Sequence, residues 1–437
     1  MSAIDIIKDR TKQKKQARFL LIANGLIVSI LIVWLTIGNL LVAYLEQPML
    51  KAQADYIQRY PKREANASAI ALRKLYSKLE IKDKIPSSLG DYLEHLRTTD
   101  NFVNPLPEDL KRYLNSKSIT VNEIVTLLKQ EPPKLENSDL SKAFTDPLGY
   151  SNASFLFHAG LQRVLLVEAL QQYQSGQTQK VLDILRASWN LNLALQEQPS
   201  LISQLVAQIL FSDLLAFLRK TSLPFEVQQL VKPQDYPKSF LSALELEILF
   251  LARGKQVPSS EFSQFTKYEI KKRDLTLLEQ VLLPFQLPYF KLAGIDYWAT
   301  NMQMLAKLQK QDICFFDAKT LQEETKAAFA WWNVSGRSQE SYFGQWIRPY
   351  RKLIEWEFTQ KILLAKASAA KTGTFPSAIQ NVDNSTICKT IKYDYQVIDN
   401  GQKMTIQMQN LPKWFEYREW DLPVTFSFTL SSNQPPM

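Results

Sequence analysis

ASFLFHAGLQRVLLVEALQQYQS (residues 153–175), TQKVLDILRASWNLNLALQEQ (178–198) and SLISQLVAQILFSDLLAFLRK (200–220) are three consecutive segments with apolar residues recurring every three or four positions. That period lays one apolar stripe along each helix, wide enough for a packed bundle. Gly176, Pro199 and Pro224 punctuate the three, at places where a left-handed turn or a missing N–H ends a helix. The expectation is a mainly α-helical domain.

The pattern extends in both directions. Downstream, residues 239–255, 261–283, 299–311, 318–332 and 341–370 read as further helices, with Pro284 and Pro288 breaking the pattern between them. Upstream, residues 46–80 read as a helical stalk interrupted near Pro61. Short helices are then expected at Leu89–Leu96, Pro107–Leu114 and Ile119–Leu128, the last capped by Ser118 or Thr120. Pro132–Tyr150 reads as a loop. Residues 153–198 resemble one tetratricopeptide hairpin at Ala169, Gly176, Val181 and Leu185. Tyr173 stands one residue off that motif and no 34-residue repeat follows. An irregular or solenoid-like helical domain over 151–370 is therefore expected.

Near the N-terminus, Phe19–Leu45 (FLLIANGLIVSILIVWLTIGNLLVAYL) holds no charged residue. At ~1.5 Å per residue it exceeds a ~30 Å hydrocarbon core. It is too long for the apolar region of a cleaved signal, and no small-residue cleavage site follows it. Lys8, Arg10, Lys12, Lys14, Lys15 and Arg18 precede it against only Asp5 and Asp9. The positive-inside rule keeps such a flank cytoplasmic and sends the remainder across. Residues 1–18 thus read as a basic cytoplasmic tail, 19–45 as an anchor in the lipid bilayer, and 46–150 as stalk and short helices.

Composition narrows the chemistry. The 437 residues carry a net charge of +9, but nearly half of it is the N-terminal flank. No Lys/Arg stripe with interleaved aromatics remains, so nucleic acid is not an expected partner. Twelve Gly, two Cys and two His argue against Gly-rich phosphate loops and four-ligand zinc sites. Cys314 and Cys388, both on the exported side, could form a bridge between the helices and the C-terminal segment. Two separate buried thiols is the alternative.

Beyond residue 371 the period changes to two. Ile391, Tyr393, Tyr395 and Val397 alternate with polar residues, Asp399-Asn400-Gly401 makes a turn, and Met404, Ile406 and Met408 alternate again. This is a hairpin signal, and Val424, Phe426, Phe428 and Leu430 suggest a third strand. A small antiparallel β-tail is expected over 371–437. Helix 357–371 followed by Gly373-Thr374-Phe375-Pro376 and strands resembles the C-terminal pattern of type II secretion pseudopilins, without their N-terminal methylation signature. The whole chain resembles a set of uncharacterised bacterial single-pass membrane proteins. The resemblance lies in the anchor, the β-tail and the stretch Arg163…Glu168-Ala169-Leu170…Gly176…Pro199-Ser200-Leu201-Ile202…Leu205-Val206. It implies a fold and a topology, not a reaction.

Candidate chemistry is sparse. Ser368-Ala369-Ala370-Lys371 and Lys371-Thr372-Gly373 match penicillin-binding-protein motifs. They share Lys371, whereas that chemistry needs two elements converging in space, so a helix end capped by Gly373 is the plainer reading. His158 and Glu168 lie roughly 15 Å apart along one helix, and His95 reads as solvent-facing. Arg163 and Glu168, five residues apart, miss the helical pairing distance and read as ion-pair partners for neighbouring helices. Asn66, Asn152, Asn333 and Asn384 begin Asn-x-Ser/Thr triplets that carry no meaning in a bacterial envelope. Seven of nine Trp fall between Trp298 and Trp420. They read first as core, with Trp331, Trp332 and Trp346 as a candidate ligand or partner face. No catalytic, cofactor-binding or metal residue is assigned. The expectation is an inner-membrane protein with a periplasmic helical domain, acting as a scaffold or assembly factor that binds another envelope protein. An envelope hydrolase using carboxylates, or a lipid- or glycan-binding protein, is the alternative.

Overall fold

Among residues 3–45 there is neither a proline nor, after Arg18, a charged residue, and the backbone runs as one helix, α1 (Ala3–Leu45). The computed structural model describes residues 3–81, 85–98, 104–137, 139–145, 156–223, 231, 235–256, 277–338, 342–379, 382–416 and 424–430. For residues 3–17, 156 and 277–282 only the backbone is described. An 18-residue window of α1 is apolar enough to cross a membrane and wholly unburied. A second helix, Leu201–Lys220, passes the same test but is 72% buried inside the fold, so it is a core helix.

α1 turns at Glu46 into α2 (Gln47–Arg59), with Pro48 in the first turn, where its missing N–H removes nothing. α3 (Ala67–Leu79) is capped by Asn66, whose side chain accepts from Ala69 N at 2.9 Å. Then come α4 (Ser88–Thr98), α5 (Glu108–Gln130) and a short α6 (Leu140–Thr145). α5 is one continuous helix where two were expected, and Ser118 and Thr120 lie inside it rather than capping it. No Gly or Pro separates the two halves, so nothing breaks the ladder.

The three decisive segments form α7 (Leu156–Gln174), α8 (Thr178–Gln196) and α9 (Leu201–Lys220). Gly176, at φ +74°, separates the first two. Ser200 caps the third through Ser203 N at 3.1 Å. α10 (Tyr236–Lys255), α11 (Leu277–Lys310), α12 (Ala318–Ala328), α13 (Val334–Arg337) and α14 (Ile347–Thr372) follow. Most of the helix expected at 261–283 lies outside the described residues, as do Asn152, Trp420 and the end of the 132–150 loop. Pro284 and Pro288 do not break α11 as expected; both sit inside it. That stretch lies along α1: the Trp34 indole donates to Phe285 O at 2.9 Å, and Gly38 has room for Pro288 only because it lacks a Cβ. Both prolines thus lie in a part of α11 that packs on α1.

α9 is central, packing against α4, α7, α8, α10 and α14. One core joins α3–α5 and α7–α9. A second joins α10, α11 and α14 to the C-terminal sheet. That sheet is antiparallel in the order β1 (Lys392–Ile398), β2 (Lys403–Gln409), β3 (Thr425–Thr429). Its register sets Met404 opposite Phe428 and Ile406 opposite Phe426, so the apolar positions share the inner face. The Gly373–Pro376 turn holds the sheet to α14: Phe375 N donates to Gly401 O at 2.8 Å and Tyr395 OH to Pro376 O at 2.9 Å. Cys314, after α11, is bridged to Cys388, before β1, with 5.3 Å between their Cα atoms.

This bridge closes a loop of 74 residues and restricts the unfolded chain. Reduction, or the Cys314→Ser/Cys388→Ser pair, should cost about 2–4 kcal/mol. The measurement is the melting temperature of the full chain in detergent, with and without reductant. An unchanged melting temperature would show that the shared core alone holds the tail.

Candidate functional site

A dense group of buried ionisable side chains lies between α9 and α14. On α14, Lys352, Glu355, Thr359 and Lys366 follow at three-, four- and seven-residue steps, which puts them on one face. Ser212 and Arg219, seven residues apart on α9, face them. The Ser212 hydroxyl donates to Glu355 Oε2 at 2.6 Å, and Lys352 Nζ donates to the same oxygen at 3.0 Å and to Ser212 Oγ. Arg219 reaches Glu355 Oε1 with Nη1 and Nη2, each at 3.3 Å, and Thr359 Oγ1 with Nη1 at 2.9 Å. Lys366 donates to the carbonyls of Arg219 and Thr221, its Nζ 3.7 Å from the centre of the Phe428 ring.

All of these side chains are buried. Burial alone would raise Glu355, but Lys352, Arg219 and the Ser212 bond outweigh it and hold the carboxyl at about 2. Burial lowers Lys352 and Arg219 against the pull of Glu355, and lowers Lys366 strongly. Beside them, burial pushes Asp213 up to about 6 although Arg97 (3.3 Å) and Arg163 (3.9 Å) oppose it. One carboxylate therefore clamps α14 to α9, and the next ties α9 to α4 and α7.

Ser212 against Lys352 has the residue types of a nucleophile and its base. Here the hydroxyl proton is committed to Glu355 and both side chains are enclosed, so the arrangement serves packing. Open space lies elsewhere. A cleft of about 540 Å³ is lined by Arg59, Tyr60, Arg63, Lys134, Gln196 and Glu197, among others. A trough of about 650 Å³ between α3 and α5 is lined by Ala71, Leu75, Ile119, Glu123 and Leu127, among others. Among the described residues no three His, Cys, Asp or Glu side chains gather as a metal site.

The residues singled out from the sequence are dispersed. Arg163 and Glu168 do not share partners: Arg163 points to Asp213 on α9, whereas Glu168 accepts from Gln172 on its own helix at 2.7 Å. Trp331, Trp332 and Trp346 do not line one face. Trp346 is 1% exposed and packs in the core against Phe240 and Tyr350, Trp332 is half-buried against Tyr289, and Trp331 is 83% exposed. A tryptophan at the start of α14 turns inward because that helix is wrapped by α10 and the sheet. His158 is buried with its ring centre 3.5 Å from that of Phe157, and His95 is exposed. The α9–α14 clamp was not singled out from the sequence, although Ser212/Arg219 and Lys352/Glu355/Thr359 carry its helical spacing. Comparison with known protein families, curated proteins and solved structures finds no match for this chain.

Glu355→Ala leaves Arg219 and Lys352 enclosed without a counter-charge and should cost about 3–5 kcal/mol. A loss below about 1 kcal/mol in denaturant unfolding would show that water already reaches them.

Burial, and then Arg73, push the His158 imidazole down to about 3 from 6.5. The folded protein keeps this ring neutral, so its contribution is full above pH 6.5 and falls towards pH 3, by about 1.4 kcal/mol per unit. Asp213 acts oppositely, losing its contribution as pH rises from 3.8 to about 6. A comparison with His158→Leu removes that overlap: the parent should lose stability relative to the variant between pH 6 and 4. Parallel pH curves would refute it.

Proposed function

We propose that the protein is a single-pass scaffold or assembly factor of the bacterial inner membrane. Its N-terminus lies in the cytoplasm and its helical domain in the periplasm, where it binds another envelope protein. The observation that carries this reading is the continuity of an unburied apolar helix with a domain docked against its last turns. Val42 of α1 packs with Met49, Tyr56, Leu249 and Ile295, and Glu46 pairs with Arg253 at 2.7 Å. The domain is thereby held at a set orientation to the anchor. The basic flank and the bridge between Cys314 and Cys388 both suit this orientation.

The α3–α5 trough supports the binding role. Ile119 is largely exposed beside Ala71, Leu75 and Leu127, with Glu123, Asn122 and Gln130 at its rim. An apolar floor with a polar rim fits an amphipathic partner helix.

Two measurements test the reading. Alkaline phosphatase fused after residue 60 should be active, because it folds only where disulfides form; an inactive fusion reverses the topology. A photo-crosslinking residue at position 119, used in living cells, should give one protein adduct that Leu75→Glu abolishes. Repeated failure to capture any protein there would end the scaffold reading.

A further inference from the structure

We propose that a second element of this chain, the Trp331–Val334 turn with the Phe285–Phe290 stretch of α11 behind it, seats in the outer-leaflet interface of the bilayer beside α1. The inference rests on the anchored reading above and deepens it by naming what covers an exposed apolar surface.

Depth comes from α1 itself. Its apolar run is ~40 Å long against a ~30 Å hydrocarbon core, an excess of about 10 Å. Gly38 lies about 10 Å and Trp34 about 16 Å before the end of that run at Leu45. If the whole excess stands outside the bilayer, Gly38 is at the hydrocarbon edge and Trp34 is about 6 Å beneath it. Gly38 abuts Pro288 and Trp34 bonds to Phe285 O. Whatever fraction of the excess emerges, Phe285 is at bilayer depth. The indole N–H, which would find no water there, is satisfied by that carbonyl.

The tryptophan turn is fixed to the same stretch. Tyr289 OH donates to Trp332 O at 3.2 Å, and the two rings meet edge to face at 6.1 Å. Behind the turn, buried Asn333 donates to Ala293 O at 3.1 Å and to Asp296 Oδ2 at 2.8 Å, and accepts from Gly336 N at 2.9 Å. A Cβ on Gly336 would meet the Phe329 ring at 2.8 Å, so the turn is closely packed from within. Its outer side carries Trp331 (83% exposed) and Val334 (66% exposed). Arg337 is exposed just past them and Lys291 follows Phe290. A rigid turn that shows water a tryptophan and a valine, next to an anchor and flanked by cations, has the composition of a membrane-interface belt: aromatic rings at headgroup depth and basic groups for lipid phosphates.

The test uses the full chain in vesicles of phosphatidylethanolamine and phosphatidylglycerol. A nitroxide is attached to a single added cysteine at Trp331, Val334, Ile119 or Leu26. Collision with oxygen reports lipid, and collision with a water-soluble nickel chelate reports solvent. The oxygen-to-nickel ratio at 331 and 334 should exceed that at 119 several-fold and approach that at 26. A ratio at 331 and 334 equal to that at 119, with 26 lipid-like, overturns this proposal and leaves the anchor standing. A solvent-like label at 26 overturns the anchored reading and this proposal with it.

Discussion

Glu355 is the carboxylate on which the helical assembly turns. It is enclosed between two helices, and a lone charge in that position would be prohibitive. Arg219 and Lys352 compensate it, and Ser212 completes its hydrogen bonds. The pairing works only at one rotation and one height of α9 against α14. A hydrophobic contact between the same helices would tolerate sliding by a turn; this one does not. α9 is also the helix that touches α4, α7, α8 and α10, so the constraint passes to most of the fold. Lys366 carries it further, from the end of α9 to the sheet through the Phe428 ring.

The second organising contact is between the domain and α1. Val42 is buried in the same cluster as α2, α10 and α11, and Glu46 and Gln53 both reach Arg253. A flexible tether would leave those groups in water. Here the last turns of an apolar helix are part of the domain's own core. The orientation of every exposed surface, the α3–α5 trough and the tryptophan turn included, is set relative to α1.

Much of the architecture was legible from local pattern. The 3.6-residue stripes of α7, α8 and α9, Gly176 and Gly373 as helix ends, and the two-residue alternation of β1 to β3 are properties of neighbouring residues. Local signals misled where the decision lay with a distant partner. Pro284 and Pro288 read as breaks, yet α11 runs through them where α1 packs alongside. Pro107–Leu114 and Ile119–Leu128 read as two short helices in a stretch bounded by prolines, but no proline lies between them and the backbone ladder is unbroken. Trp331, Trp332 and Trp346 look alike in a composition count, but one is core, one is half-buried and one stands in the open. Arg163 and Glu168 both read as inter-helix partners, and only Arg163 is one.

The sequence by itself determined the helical class, the long uncharged helix with its basic flank, and the three strands of a small β-tail. These follow from periodicity, charge placement and turn chemistry, which act over a few residues. Only the tertiary structure decided that α9, apolar enough to cross a membrane, is the core of the fold, and that Ser212, Arg219, Lys352 and Glu355 meet. It also decided that Cys314 and Cys388 are joined. The reason is that burial and cross-helix pairing depend on which faces are covered by elements far away in the chain, 74 residues for the cysteines and 143 for Ser212 and Glu355, and no local pattern encodes that distance.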